Sequence, residues 1–278
     1  MATPYVKMNG LGNDFAVVRV GRDWSPSEAQ VRAWADRASG IGFDQLIALS
    51  EGDGGPWVRF WNSDGGEVSA CGNGSRAAAW LMMEATGTDR VGFGTPAGPL
   101  SAERAGDRRV TVDMGAPRLN WDRIPLAEEM DTRGIELQVG PIDDPVVHTP
   151  GAVSMGNPHV VFFTDRQDDA FVRGTGSLIE HHPLFPEGVN VGFANVLGRD
   201  RIRLRVWERG AGLTKACGTG ACAALVAAAR RGLTDRAATL QLDGGELRIV
   251  WDEATDHVLM TGGVEVEGTG VLPETSPA

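Results

Sequence analysis

The chain has 278 residues, 42% of them hydrophobic, with a formal net charge of −11 and a pI near 4.9. This acidic balance argues against nucleic acid or an anionic membrane as a partner, and no run approaches the roughly 18 apolar residues of a membrane span. Three cysteines, no apolar leader in Met1–Lys7 and only two lysines, Lys7 and Lys215, point to a reduced cytoplasmic protein with few candidates for a Schiff-base lysine.

In chain order, Met8-Asn9-Gly10-Leu11-Gly12-Asn13-Asp14-Phe15 is a polar glycine loop entering a strand. Ser25-Pro26-Ser27-Glu28 has the form of a capping box with proline at the first helical position. The helix it opens would bury Val31, Trp34, Ala35 and Ala38 and end near Gly40. A loop with Gly52, Gly54, Gly55 and Pro56 precedes a strand-like run at 57–61, and a glycine-rich turn then leads to Cys71 and an Ala-rich helix, Ala77–Ala85. Strand-like runs follow at Val91–Phe93, Leu100–Glu103 and Val110–Met114. The first half ends near Pro117, and the proline-rich segment to Pro150 reads as a connection plus strands of the second half.

The second half repeats the first. When the chain is slid along itself, Trp61 falls on Trp207, Gly66 on Gly212 and Ala70-Cys71-Gly72-x-Gly74 on Ala216-Cys217-Gly218-x-Gly220. Gly12-Asn13 matches Gly156-Asn157, and Gly42-Phe43-Asp44-Gln45 matches Gly188-Val189-Asn190-Val191. The later strands find partners at Ala238–Leu242, Glu246–Trp251 and Val258–Thr261. The expected fold class is α/β (α+β): two similar domains, 1–118 and 119–264, related by a pseudo-twofold, each a mainly antiparallel sheet around a central helix. The site is expected in the cleft between them. The tail, 265–278, returns to the first domain or is partly free, and Pro273–Ala278 is expected to be mobile.

Each repeat places a cysteine at the start of a helix, where the macrodipole and first-turn N–H groups lower a thiol pKa and favour thiolate. The adjoining glycines let a carboxylate approach those N–H groups. A thiol acid and a thiol base on opposite faces of one carbon suit stereoinversion of an amino acid, with the helix ends stabilising the developing carbanion. Cys222 pairs with Arg76 in the repeat and is read as a core residue. His148, His181, His182 and His257 are read as surface residues. No GxxxxGK[ST], HExxH or paired CxxC is present, and neither a metal nor a cofactor is called for.

Asn13-Asp14-Phe15, Gly42-Phe43-Asp44-Gln45, Asn62-x-Asp64-Gly65, Cys71-Gly72-Asn73-Gly74, Gly156-Asn157-Pro158-His159, Gly188-Val189-Asn190-Val191 and Glu208-Arg209-Gly210-Ala211-Gly212 through Cys217-Gly218-Thr219-Gly220 occur in this order. With them the chain closely resembles the diaminopimelate epimerase family over nearly its whole length. The resemblance implies cofactor-independent interconversion of LL- and meso-diaminopimelate in the synthesis of lysine and peptidoglycan precursors. Cys71 matches the proton donor and Cys217 the acceptor in the LL-to-meso direction. Gly72, Asn73, Gly218 and Thr219 match the groups binding the reacting carboxylate, while Asn62, Asn157, Asn190 and Arg209, with Asn13 and Gln45, match those holding the distal end. His159 and Glu208 match residues assisting the chemistry.

In the repeat, His159 falls opposite Phe15 and Glu208 opposite Asn62, so only the second half supplies ionisable helpers. Leu213 and Val160 depart from residues common in the family, and are expected to affect packing rather than reaction type. The rival readings are a proline racemase or hydroxyproline epimerase, which would leave Arg209 and the asparagines without a distal carboxylate, and a non-catalytic small-molecule binder. A homodimer is left open.

Overall fold

The computed structural model describes residues 3–52, 54–68 and 71–273; Ala70 of the first cysteine motif and the end of the tail, 274–278, lie outside the described residues. Two compact units divide the chain. One holds it up to Asp113 and again from Thr261, and the other holds Met114–Met260.

The first unit opens with a hairpin of β1 (Pro4–Gly10) and β2 (Asn13–Arg19). Its two-residue turn, Leu11-Gly12, takes φ 59 and 78, the left-handed pair that matches the twist of the flanking strands. Next come α1 (Glu28–Ala35), β3 (Gln45–Gly52), β4 (Gly55–Asn62), β5 (Glu67–Val68), α2 (Gly72–Thr86), β6 (Arg90–Thr95), β7 (Gly98–Gly106) and β8 (Arg109–Asp113). β2 runs parallel to β3, and β4 is antiparallel to both β3 and β5. β6 joins β4 in parallel before the meander through β7 to β8.

The second unit begins with a 3-10 turn at Trp121–Arg123 and a short ladder of β9 (Gln138–Val139) and β10 (Val147–His148). It then replays the first unit's order: β11 (Gly151–Ser154), β12 (Pro158–Phe163), α3 (Asp169–Glu180), β13 (Asn190–Gly198), β14 (Arg201–Glu208), β15 (Gly212–Thr214), α4 (Gly218–Arg230), β16 (Ala237–Leu242), β17 (Gly245–Trp251) and the first three residues of β18 (Val258–Gly263). The pairings recur as well. β12 is parallel to β13, β14 is antiparallel to β13 and β15, and β16 is parallel to β14. The chain is therefore a mixed α/β protein of two repeated halves, mostly sheet. β19 (Glu265–Val271) follows and pairs antiparallel with β1; beyond it Trp34 Nε1 donates to the Pro273 carbonyl at 2.9 Å.

Strand alternation assigns each sheet face its helix. Ala16, Val18, Leu46, Ala48 and Trp61 pack with Val31, Trp34 and Ala35 of α1, whereas Ile47 and Phe60 point the other way and meet Gly74 of α2. In the second unit Val160, Phe162, Val191 and Phe193 share a core with Phe171, Val172 and Ile179 of α3, while Val206 meets Gly220 of α4. The matched tryptophans have matched jobs: Trp61 faces α1 and Trp207 faces α3. α4 is buried nearly all round, from Gly220 to Ala228, as expected for an apolar helix enclosed by strands. Small alanine side chains let the surrounding strands close on it.

The structure corrects three local expectations. The capping residue of α1 is Ser27, whose Oγ accepts from Gln30 N while Gln30 Oε1 accepts from Ser27 N. Ser27-Glu28-Ala29-Gln30 is itself a capping box, and it starts the helix two residues later than the frame beginning at Ser25. The helix ends at Ala35, leaving Ala38 exposed, because the Asp36 carboxylate accepts from Ala38 N and Ser39 N and turns the chain. His148 and His181 are exposed, but His182 and His257 are half-buried. Cys222 and its repeat partner Arg76 are both fully buried.

Candidate active site

In each unit the sequence-marked residues gather at one end of the sheet, where a helix begins. In the first unit Gln45 opens β3 and Asn62 closes β4. They are register partners, and Gln45 Nε2 donates to Asn62 Oδ1 at 2.9 Å. Asn13 begins the neighbouring strand β2. An ion-pair cluster holds these strand ends together: Arg37 bridges Asp14 at 2.6 Å and Asp44 at 2.9 Å, and Asp44 Oδ2 also accepts from Asp14 N. The positive Arg37 and the Asn9 amide outweigh burial, which acts first and in the opposite sense, and hold the Asp14 carboxyl below its ordinary range. Gly74 lies against Ile47 and Phe60, each two residues inside Gln45 and Asn62, so the start of α2 opens at the same end.

Cys71 caps α2, and its Sγ accepts from Gly74 N at 3.2 Å; Cys217 caps α4, with its Sγ accepting from Gly220 N at 3.4 Å. Sulfur is a poor choice for this post. Serine or aspartate caps a helix better by roughly 1 kcal/mol, so neither cysteine is placed here by capping strength. Gly72-Asn73 and Gly218-Thr219 occupy the first two helical positions, where backbone N–H groups have no carbonyl within the helix and favour an anion.

The second unit is more heavily wired. His159, next to Pro158 at the start of β12, is the register partner of Asn190, as Phe15 is of Gln45. The His159 ring is buried, and its Nε2 meets Asn157 Oδ1 at 3.0 Å; an amide oxygen only accepts, so Nε2 carries the proton. Asn157 Nδ2 continues to Thr219 Oγ1 at 3.3 Å, and Thr219 Oγ1 stands 3.6 Å from the Cys217 sulfur. Burial, reinforced by the Arg209 charge, lowers the His159 pKa to about 3. The imidazole is therefore neutral throughout the physiological range and serves as a polar support rather than a cation.

Glu208, at the end of β14, accepts from Thr214 Oγ1 at 2.5 Å and from the Cys217 thiol. Burial raises the Glu208 pKa. Burial also pushes the Cys217 thiol well above its ordinary value, with the Glu208 charge adding to it. This overturns the expectation from the helix end: a thiol 4% exposed and facing a carboxylate stays protonated, because desolvation and like charge exceed the stabilisation from Thr219 and Gly220. Asn190 is likewise engaged with main chain, since Nδ2 donates to the Pro158 carbonyl and Oδ1 accepts from Arg209 N at 3.0 Å. The Arg209 guanidinium is exposed and donates to the Glu187 carbonyl at 2.7 Å.

Two residues at this end of the unit have no signal of their own in the sequence. Thr214 lies within the glycine-rich motif, where nothing local marks Glu208 as its partner. Glu180, buried at the end of α3, gave no local signal. Leu213 and Val160, expected from the sequence to affect packing, both pack into the core of the second unit.

The site residues lie within matches to known proteins. Residues 5–120 and 151–267 match the family model described as diaminopimelate epimerase. The chain is 61% identical to the diaminopimelate epimerase of Caulobacter sp. (strain K31), with 99% of both chains covered. A phenazine biosynthesis protein of the PhzF family from Enterococcus faecalis shares the fold with a TM-score of 0.71 at 15% identity, over 99% of this chain and 100% of that one. So does a hydroxyproline epimerase from Agrobacterium vitis solved with bound trans-4-hydroxy-L-proline, with a TM-score of 0.69 at 13% identity over 99% and 94%. On the match across both repeats and the identity over its full length, this chain belongs to the diaminopimelate epimerase family.

Proposed function

We infer that the chain epimerises LL-diaminopimelate to meso-diaminopimelate, an isomerase step serving lysine biosynthesis. The observation that supports this most is the repeated, cysteine-capped helix in a chain 61% identical to a diaminopimelate epimerase. One thiol takes the Cα proton as its thiolate, and the other, protonated, delivers a proton to the opposite face of the same carbon. The reacting carboxylate is bound by the first-turn N–H groups at Gly72-Asn73 and Gly218-Thr219, which also spread the charge of the carbanion.

The state of Cys217 shapes the mechanism. Its thiol bonds to the Glu208 carboxylate, so in the LL-to-meso direction Cys217 becomes an acceptor by passing its proton to Glu208. The raised Glu208 pKa makes that transfer easier. Cys71 is then the donor. Arg209, Asn62 and Asn157, with Asn13 and Gln45, hold the distal amino-acid end, and Asn190 fixes the Arg209 backbone. A proline-type substrate lacks a distal carboxylate and would forgo the charge-assisted bonds that Arg209 offers one.

The reading is tested by supplying LL-diaminopimelate, L-proline and trans-4-hydroxy-L-proline separately to the reduced protein and resolving product stereochemistry. Formation of meso-diaminopimelate with neither cyclic amino acid inverted supports it. Inversion of proline or hydroxyproline alone would replace the substrate, and no inversion of any would return the chain to the binding-protein reading.

A further inference from the structure

Glu180 is the last residue of α3, and its side chain is 8% exposed. Both carboxylate oxygens are engaged: Oε2 accepts from Trp207 Nε1 at 2.7 Å and Oε1 from Gly210 N at 2.7 Å. Its own carbonyl accepts from Val189 N, immediately before Asn190. The two donors bracket Glu208 and Arg209, one residue before the pair and one after. Trp207 is also pressed on α3 so closely that a Cβ on Gly176 would lie 2.5 Å from Trp207 Cβ. Among the described residues, the His181 ring, 3.8 Å away, and the Arg209 guanidinium face the Glu180 carboxylate. Burial would raise the carboxyl pKa, but the bonds from Trp207 and Gly210, with the Arg209 charge beside them, hold it below its ordinary value.

We propose that Glu180 is a positioning residue, which sets the Glu208-Arg209 turn by clamping Trp207 and Gly210, and so places the Glu208 carboxylate against the Cys217 thiol. Its aim is the second half of the machinery in the proposed reaction, and its clamp can be tested without any substrate. In Glu180→Gln one of the two N–H donors meets an amide NH2 instead of an oxygen, so the clamp is half lost.

The experiment reads Cys217 alone, by mass spectrometry of iodoacetamide-labelled peptides across pH, in the wild type, Glu180→Gln, Glu208→Gln and the double variant. Loss of the Glu208 charge lets the Cys217 alkylation midpoint fall. Glu180→Gln should lower it by about half a pH unit or more, and the double variant should match Glu208→Gln, because Glu180 acts only through Glu208. An unchanged midpoint in Glu180→Gln, or a shift that adds fully to that of Glu208→Gln, would overturn the proposal. Trp207→Phe removes the Trp207 bond, should shift the midpoint the same way, and serves if Glu180→Gln does not fold; no shift there is equally contrary. Failure of diaminopimelate turnover would touch the proposed function and leave this result intact.

Discussion

The Cys217 thiol donates to the Glu208 carboxylate; burial raises the proton affinity of both groups, the Glu208 charge raises that of Cys217 further, and the thiol's bond offsets only part of the rise at Glu208. The folded pKa of Glu208 lies above its ordinary 4.5, so ionising it costs the fold free energy that the unfolded chain does not spend. The penalty is absent below about pH 4.5 and grows as pH rises through the folded value. Glu208→Gln should therefore be more stable than the wild type at pH 8, by about 1 kcal/mol given the half-buried setting, and equal to it at pH 4, while losing most turnover. Denaturant melts at the two pH values check this; a stability difference independent of pH contradicts it.

His159 behaves in the opposite sense. Its folded pKa is depressed from 6.5 to about 3, so the stability from burying it neutral is complete above pH 6.5 and declines as the unfolded chain takes up a proton below that. Between pH 6 and 4 the wild type should lose about 1.4 kcal/mol per pH unit more than His159→Asn. Parallel stability curves for the two proteins would show that the imidazole titrates in the fold.

Replacing Cys71 with serine separates capping from chemistry. The hydroxyl accepts from Gly74 N better than sulfur at 3.2 Å, so thermal stability should hold or rise by up to about 1 kcal/mol. Turnover should fall by at least about 100-fold, the scale of losing an acid or base. A stable, fully active Cys71→Ser would remove the thiol from the mechanism.

Two glycines of one helix give a paired test of packing. A Cβ at Gly174 meets nothing within 4 Å, so Gly174→Ala should stabilise α3 by about 0.5–1 kcal/mol through propensity alone. At Gly176 the same change drives a methyl into Trp207, and the sign reverses. Gly176→Ala should also impair turnover, because Trp207 precedes Glu208. Equal melting shifts would show that α3 does not pack as described.

Much of this was legible in the sequence because the signal came twice. Strand, glycine turn, cysteine and Ala-rich helix recur in register, and both cysteines cap helices. The start of α1 was misplaced because Ser25 and Ser27 offer competing frames, and only Gln30 decides between them. The ionisation of Cys217 was not legible, since a helix end is visible in sequence but burial and the approach of Glu208 are not. Glu180 is invisible for a related reason: its partners lie 27 and 30 residues away, on β14 and in the turn that follows it. Asn190 could be recognised by its motif, yet its bonds to Pro158 and Arg209 belong to the fold.

The central claim is that one thiol from each repeat handles the proton at a single carbon. Its most direct test is incubation of the reduced protein with LL-diaminopimelate in D2O, comparing wild type with Cys71→Ala and Cys217→Ala. The account predicts meso-diaminopimelate from the wild type, deuterated at the inverted carbon, and no inversion by either variant. Inversion that survives loss of either cysteine would contradict it.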